Sequence, residues 1–599
     1  MSIKSNFLIS IEEKSDKSDF ADNIILQNNY VFDAGKLKIS LKYSDNVIFA
    51  KSADENIIIL FAGNIYSDDI SDNDSVEQYL LDNYFSHKKD FVKYLNGSFS
   101  LFFAQRETGE VYFATDRLNT RKIFKFKKGG RLLFANDINL LPLNECNLNY
   151  AGLASYLING ALYNDLTLFD EIKKLERASL HKIVDFNIIS EKYSDYYFNN
   201  EYENKSETEL ADELNNLYLQ SLNRIIKGKK NIFISLSGGY DSRAITAMLK
   251  KCVNSNFNII CFSHNFGNIN KDTDSDIARQ IAENLGYPFR LINSYERNPF
   301  HTFKYNAEHG QGMAYFCVES DAWEEMNKDF EKCGSGILLV GDMNDGTFKE
   351  FHGNNKRALE RTQIYESFFL KEYRNYFSPD ILQNLCENWD REYDKILNRV
   401  SQQDNMINLL DYLYIDQRIP NVNSVARECF QAPYIETATP FYDNNVLDFM
   451  GKLPPSLRNN KKLHRMALEK NYPDIFKIKF PTSGWGNEPD WINEIKSFSD
   501  VFIDNIKNSK SKLDNIIPPG TIIKSILALN NPGENKFNSK TTLKSLHKNI
   551  KNIFPAYYKI IENLPGGKEL TRKAGKFVNP RISHILPKIL LLRLFLSGI

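Results

Sequence analysis

The residues best suited to chemistry are Ser237-Gly238-Gly239-Tyr240-Asp241-Ser242. They end an almost wholly apolar run, NIFISLSGG, and open a helical one, RAITAMLKKC. A strand that stops at two glycines and turns into a helix presents free backbone N–H groups to whatever lies in the turn. Glycine lets the main chain come close to a ligand, and the helix start favours negative charge. The hydroxyls of Ser237 and Ser242 add donors, so the turn reads as a phosphate cradle. It is not a Walker loop, because no Gly-Lys-Ser/Thr follows. Asp241 would repel a phosphate unless a cation stood between them, and an oxygen ligand beside phosphates implies Mg²⁺. The plainer reading of the same letters is a glycine turn with an Asp or Ser cap.

The elements around this turn alternate. ETELADELNNLYLQSLNRII (207–226) has helical spacing, NIFISLSGG follows as a buried strand, and RAITAMLKKC as a helix. FNIICFSH, DSDIARQIAENLG, YPFRLIN and GILLVGDMND (336–345) continue strand, helix, strand, strand. This pattern predicts a doubly wound α/β parallel sheet with its ligand outside the carboxyl ends of the strands. From about 350 to 470 the pattern is helical. Residues 1–195 instead carry short aromatic and β-branched runs, NIIILFAGNIY, GSFSLFFAQ, EVYFATD and RLLFAND, between Asp, Asn and Gly turns, which predicts an antiparallel layered domain.

Three domains are expected: 1–200, 207–500, and a mainly helical extension, 501–599. At 599 residues one core is too few, and 42% apolar with 25% charged residues is the composition of a soluble globular protein. The net charge of −1 gives no global pointer to nucleic acid, yet residues 536–593 hold thirteen Lys/Arg against two Glu. That stretch either solvates a helix or contacts a peptide or carrier partner. Seven scattered cysteines without a Cys-x-x-Cys pair argue against a disulfide scaffold or zinc ribbon and fit a cytoplasmic location. The start shows no signal-peptide h-region, and the apolar end, HILPKILLLRLFLSGI, is too short and too charged for a membrane span, so a docked helix is expected.

SGGYDS matches the pyrophosphate loop of N-type ATP pyrophosphatases, and its surroundings resemble the asparagine-synthetase family over roughly residues 55–495. LNGSFSLFFAQRETGEVYFATDRLNTRKIF resembles the family's glutaminase stretch, and VGDMNDGTF (340–348) its second acidic loop. ATPFYDNNVLDFMGKLPPSLR resembles its Val-Pro-Phe-Leu-Asp segment, and KIKFPTSGWG (477–486) its lysine loop. The resemblance implies an Ntn-hydrolase-like αββα sandwich (α+β) followed by the α/β synthetase domain with C-terminal helices.

It further implies cleavage of ATP between the α- and β-phosphates, with Mg²⁺, adenylation of a carboxylate, and attack by an amine or ammonia. Leu236, Ser237, Gly238, Gly239, Asp241, Ser242, Ser263 and Gly341 would bind ATP and pyrophosphate, and Asp241 with Asp345 would hold the metal. Lys479 would be the catalytic cation; Lys477 is its rival in the same loop. Asp342, where the family often has Glu, would act in acid–base chemistry or orient substrate. Gly346 stands where a second Glu is common. Phe262 is an adenine neighbour or core, and AEHGQGMAYFC (307–317), with His309, would line the acceptor pocket or be structural.

Glutamine-using members begin with Met-Cys and carry Asn-Gly-Glu and Leu-Asp-Gly. Here the corresponding residues are Met1-Ser2, Ala62-Gly63-Asn64 and Leu95-Asn96-Gly97. Thiolate is a far stronger nucleophile than a serine hydroxyl. Three departures in one pocket predict a ligase without glutaminase activity, similar in that respect to beta-lactam synthetases and lasso-peptide cyclases. Its substrates would be a small-molecule or peptide carboxylate and an amine or ammonia. Alternatives are an asparagine synthetase proper and a non-catalytic scaffold of the same family. A tRNA-thiolating pyrophosphatase fits less well, since cysteine pairs and nucleic-acid modules are missing.

Overall fold

The computed structural model describes residues 5–13, 26–70, 75–252, 257–267, 271–314, 316–334, 336–342, 373–400, 402–482, 489–530 and 585–599. The chain divides into two compact units. One comprises Met1–Glu296, Glu308–Tyr365 and Asn384–Glu488, the other Arg297–Ala307, Glu366–Gln383 and Pro489–Ile599.

The first unit begins with two six-stranded antiparallel sheets. In spatial order one runs Ile172–Lys174, Phe124–Lys128, Arg131–Ala135, Phe7–Glu13, Leu37–Tyr43, Asn28–Ala34. The other runs Asn187–Lys192, Ser179–Val184, Val111–Thr115, Gly97–Gln105, Ile57–Ile65, Ile48–Lys51. Strand Ile57–Ile65 shows why its sequence is apolar at nearly every position. Side chains alternate between faces. Ile58, Leu60 and Ala62 enter the core between the sheets with Phe102, Phe113 and Phe134. Ile57, Ile59 and Phe61 enter a second core with Leu80 and Tyr84 of the helix Val76–His87 and with Phe91. A strand buried on both faces cannot show the polar alternation of a half-exposed one.

The same unit then forms a five-stranded parallel sheet, in spatial order Phe289–Asn293, Asn258–Asn265, Asn231–Ser235, Gly336–Leu339, Glu436–Ala438. The strand that feeds the SGGYDS turn is therefore central, as the unbroken apolar run NIFIS requires. Helices Glu207–Ile226, Tyr240–Cys252 and Asp274–Leu285 bury Leu214, Ile245 and Ile281 in its core. The expected α+β sandwich and α/β sheet are both present. The fifth strand was not anticipated, because three residues, Glu436–Ala438, carry no readable alternation. Nor was the π-helical stretch Tyr414–Asn423, which accommodates Pro420 inside a helix.

In the second unit Phe303 packs edge-on against Trp491 and Phe502, at 6.0 and 5.4 Å between ring centroids. The apolar end of the chain is a helix, Ile585–Ser597, whose Arg593 is 1% exposed. Its guanidinium donates to Asp514 Oδ1 and Ser509 Oγ, both at 2.9 Å. The run is a packed helix, in line with the docked-helix expectation. Among the described residues no helix is long and apolar enough to cross a membrane. Most of the basic stretch 536–593 lies outside the described residues.

Candidate active site

The turn after strand Asn231–Ser235 is closed on itself. Ser237 N–H donates to Ser242 Oγ at 3.0 Å, the two hydroxyls lie 2.8 Å apart, and Gly239 N–H donates to Ser237 Oγ at 3.2 Å. Leu236 N–H donates to Phe262 O at 2.8 Å, which ties the turn to the neighbouring strand beside Ser263. Gly238 N–H donates to Asp274 Oδ1 at 3.0 Å. A Cβ on Gly238 would lie 2.9 Å from Pro481 Cδ and 3.1 Å from Ile277 Cβ, so glycine is demanded there by close approach. Gly341 presses on the same turn from the adjacent strand end. A Cβ there would lie 2.7 Å from Ser242 N. The two loops read from sequence as partners are thus in backbone contact.

Arg243, wholly buried, fixes the lysine loop to the turn. Its guanidinium donates to Gly238 O at 2.8 Å, to Ile478 O at 2.6 Å, and to Ile475 O and Lys479 O at 3.2 Å each. The Phe480 ring lies 4.1 Å from it. Burial pulls Arg243 down to about 10, so it is still charged at neutral pH. Lys479 pairs with Asp272, whose carbonyl accepts from Thr482 N–H at 3.1 Å. Lys477 faces solvent, 76% exposed, 3.5 Å from Asp474. Of the two lysines, Lys479 is the one turned toward the loop that opens helix Asp274–Leu285, the helix whose Asp274 binds Gly238.

Asp241 has two partners that the sequence gave no reason to connect. Lys461 Nζ lies 2.8 Å from Oδ2, and His464 Nε2 lies 3.1 Å from Oδ1. Burial pushes the Asp241 carboxyl up, but Lys461 and the His464 hydrogen bond outweigh it and hold the group at about 2. An ionised carboxylate only accepts, so His464 Nε2 carries a proton. Its Nδ1 lies 3.1 Å from the buried Tyr218 hydroxyl, so Tyr218, His464 and Asp241 form one hydrogen-bonded chain that ends in the cradle.

Asp342 is doubly engaged: Arg427 Nε and Nη2 donate to its two oxygens at 2.8 and 2.9 Å. A bidentate guanidinium suits an orienting carboxylate better than a free base. Its partners in the predicted set fare differently. Asp345 and Gly346 lie outside the described residues. Ser263 is buried on strand Asn258–Asn265, and Phe262, 1% exposed, packs edge-on to Trp323 at 5.9 Å. His309 ends the helix Pro299–His309 and is half-buried.

The glutamine amidotransferase domain family matches residues 50–194, and the asparagine synthase family matches residues 213–479, in that order along the chain. The chain belongs to the asparagine-synthetase-like family. It carries the family's two domains, and with them the character of an ATP-utilising, amide-forming ligase family. No curated protein matches it. Solved structures similar to this asparagine-synthetase-like chain include the U34-tRNA thiolase NcsA from Methanococcus maripaludis, 13% identical, covering 57% of this chain and 85% of that one, with a TM-score of 0.24. Another is the glutamine phosphoribosylpyrophosphate amidotransferase from B. subtilis, 10% identical, covering 57% and 76%, with a TM-score of 0.21. A third is the NH3-dependent NAD synthetase from Campylobacter jejuni, 10% identical, covering 34% and 98%, with a TM-score of 0.18.

In this asparagine-synthetase-like protein the N-terminal sandwich is tied to the synthetase domain by polar contacts. Arg177 reaches Asp416 at 3.1 Å, both buried, and Arg224, on the synthetase domain's first helix, reaches the exposed Asp68 at 2.9 Å while pairing within its own domain with Asp443 at 2.6 Å. Asn96 also reaches Asp443. Gly63 and Gly97 have a local reason. At φ of 138° and 152°, a Cβ on either would fall 2.1 Å from a carbonyl oxygen of the facing strand. Sequence reasoning missed Arg243, Asp272, Asp274, Lys461, His464 and Arg427. Two signals were available: carboxylates at 272 and 274 at the start of a helix, and Lys461-x-x-His464 at helical spacing.

Proposed function

We propose that this protein is an AMP-forming ligase that adenylates a carboxylate with ATP and passes the acyl group to an amine or ammonia without hydrolysing glutamine itself. The observation that carries this reading is Arg243. Through backbone carbonyls it locks the Ser237–Ser242 turn to the loop bearing Lys479, so a phosphate cradle and a cation are held as one piece. Lys461 supplies a second cation beside Asp241. Two cations flanking a glycine turn suit a polyphosphate whose negative charge grows as pyrophosphate departs.

In this reading the substrate carboxylate oxygen attacks the α-phosphorus. The new O–P bond forms as the bond to the β-phosphate oxygen breaks, and pyrophosphate leaves. The Ser237 and Ser242 hydroxyls hold it, and the glycine N–H groups, which here donate to Asp274 and Ser237, would join them on exchanging those partners. Asp241, with Asp345 as second carboxylate, would hold Mg²⁺, which when bound offsets charge on the leaving group. The amine nitrogen then attacks the acyl carbon. The C–N bond forms, the C–O bond to AMP breaks, and the nitrogen's extra proton passes to AMP or solvent. Lys479 steadies the developing oxyanion, while the Arg427–Asp342 pair orients substrate. Loss of glutaminase activity is supported by Asn96, whose amide is committed to Asp443.

The test is product analysis with MgATP and aspartate, with ammonium in one reaction and glutamine in another. AMP with asparagine from ammonium alone gives an asparagine synthetase that uses free ammonia. Glutamate released in step with AMP refutes the loss of glutaminase. No MgATP binding at all leaves a scaffold.

A further inference from the structure

Between the N-terminal sandwich and the parallel-sheet domain lies a cavity walled by both. Asn96, Thr120 and Arg121 contribute from the sandwich, and Ser424, Glu428 and Tyr442 from the synthetase domain. Its lining also includes Val340 and Asp342, which flank Gly341, the residue that abuts the backbone of Asp241 and Ser242 in the cradle.

Most charged groups in its wall are already satisfied. Asp342 is paired with Arg427, Asp443 with Arg224, and Arg117 with Asp448 at 2.6 Å. Asp116 accepts from Thr120 Oγ1 at 2.6 Å and from the N–H groups of Phe99 and Leu118 at 3.1 and 2.9 Å. Among the described residues two groups of opposite sign, Arg121 and Glu428, make no ion pair, although the buried Lys122 ammonium lies close enough to Glu428 to feel its charge. Arg121 is 9% exposed and its Nε has no hydrogen-bond partner; Glu428 is 7% exposed and its Oε1 has none. No ion pair joins them. The Ser424 hydroxyl in the same wall is also unpartnered, and the Tyr442 hydroxyl has the Asn423 side chain beside it. Buried polar groups are nearly always satisfied, and an unpaired buried charge is strongly disfavoured, so a missing partner is a pointer to a ligand.

We propose that this cavity binds a small zwitterion of the amino-acid type, its carboxylate on Arg121 and its ammonium on Glu428, with the Ser424 and Tyr442 hydroxyls completing the contacts. A guanidinium matches a carboxylate, and a carboxylate matches an ammonium. The cavity's position assigns that ligand the role of the attacking amine, which enters from the side of the sandwich. This role rests on the ligase reading of the previous section; the binding itself does not.

The experiment is thermal unfolding of the full chain with each proteinogenic L-amino acid. The matching amino-acid amides and N-acetyl amino acids, each lacking one charge, serve as controls. A ligand that binds only the folded state raises the midpoint with concentration. At least one amino acid is expected to do so while its amide and N-acetyl forms do not. Arg121→Gln and Glu428→Gln are each expected to weaken it by about tenfold or more. Stabilisation by MgATP, unchanged in these variants, reports that the fold is intact. Should either fail to fold, Ser424→Ala and Tyr442→Phe provide milder probes. If no amino acid binds, or if binding ignores all four substitutions, the cavity holds water only and the proposal falls. AMP release is read separately. Binding without AMP overturns the ligase reading and leaves the site standing; AMP without zwitterion binding does the reverse.

Discussion

Asn96 Nδ2 donates to Asp443 Oδ2 at 2.8 Å, and Asn444 N–H donates back to Asn96 Oδ1 at 3.0 Å. One amide thus serves as donor to the carboxylate and acceptor for the backbone next to it, a pairing no carboxylate at position 96 could make. One of the side chains that depart from the family's glutaminase pattern thus helps couple the sandwich to the wall of the synthetase domain.

Asn96→Asp should therefore set two carboxylates against each other at a site where Asp443 is 6% exposed. A destabilisation on the order of 2–4 kcal/mol is expected at neutral pH. The close pair raises one folded-state pKa, so the deficit should grow as pH rises through the carboxylate range and shrink in acid. Denaturant unfolding across pH checks this, and adding Asp443→Asn should recover much of the loss.

Replacing Arg243 with Met leaves four backbone carbonyls without their donor. A loss of roughly 3–5 kcal/mol in unfolding free energy is expected, with AMP formation abolished even where the protein remains folded. Limited proteolysis should then cut near the freed lysine loop, while cleavage confined to other segments would contradict the account.

The two lysines of that loop should separate cleanly. Lys479→Met is expected to lower the rate of AMP formation by about 10²–10³-fold. Lys477→Met, altering an exposed side chain paired only with Asp474, should leave it within about twofold.

Asp241 carries an acid-linked stability term. Its folded-state value of about 2 lies below the ordinary 3.8. The stabilisation is present above the ordinary value and fades as pH falls through the folded one, across a window from about 4 to about 2. The difference corresponds to roughly 2 kcal/mol. Urea midpoints at the two ends of that window should fall less steeply for Asp241→Asn than for the parent.

Gly341→Ala would drive a Cβ to 2.7 Å from Ser242 N, a backbone atom that cannot swing aside. A cost of about 1–3 kcal/mol is expected as the strand end shifts, together with weaker MgATP binding measured by calorimetry. Unchanged affinity would mean the two loops do not share the nucleotide.

The sequence revealed whatever is local. The strands Ile57–Ile65 and Asn231–Ser235 are legible because burial on both faces writes itself into consecutive residues, and the SGGYDS cradle because one short turn carries all of its parts. What escaped depends on distance along the chain. Lys461 meets Asp241 across 220 residues, Arg243 meets Ile478 across 235, and Asn96 meets Asp443 across 347. No periodicity encodes such meetings; they follow from which strand lies next to which. Asn96 illustrates both halves, since its departure from a motif was visible and its new partner was not. Strand Glu436–Ala438 escaped for the opposite reason, being too short to carry a pattern.

Arg243 donates to main-chain oxygens and lies over two aromatic rings, Phe476 and Phe480. Such a clamp does not care which side chains the clamped residues bear, so Ile475, Ile478 and even Lys479 can be exchanged without moving the peptide that carries them. Substrate preference in this protein can therefore drift by mutation one residue at a time, while the geometry of phosphate departure is inherited unchanged.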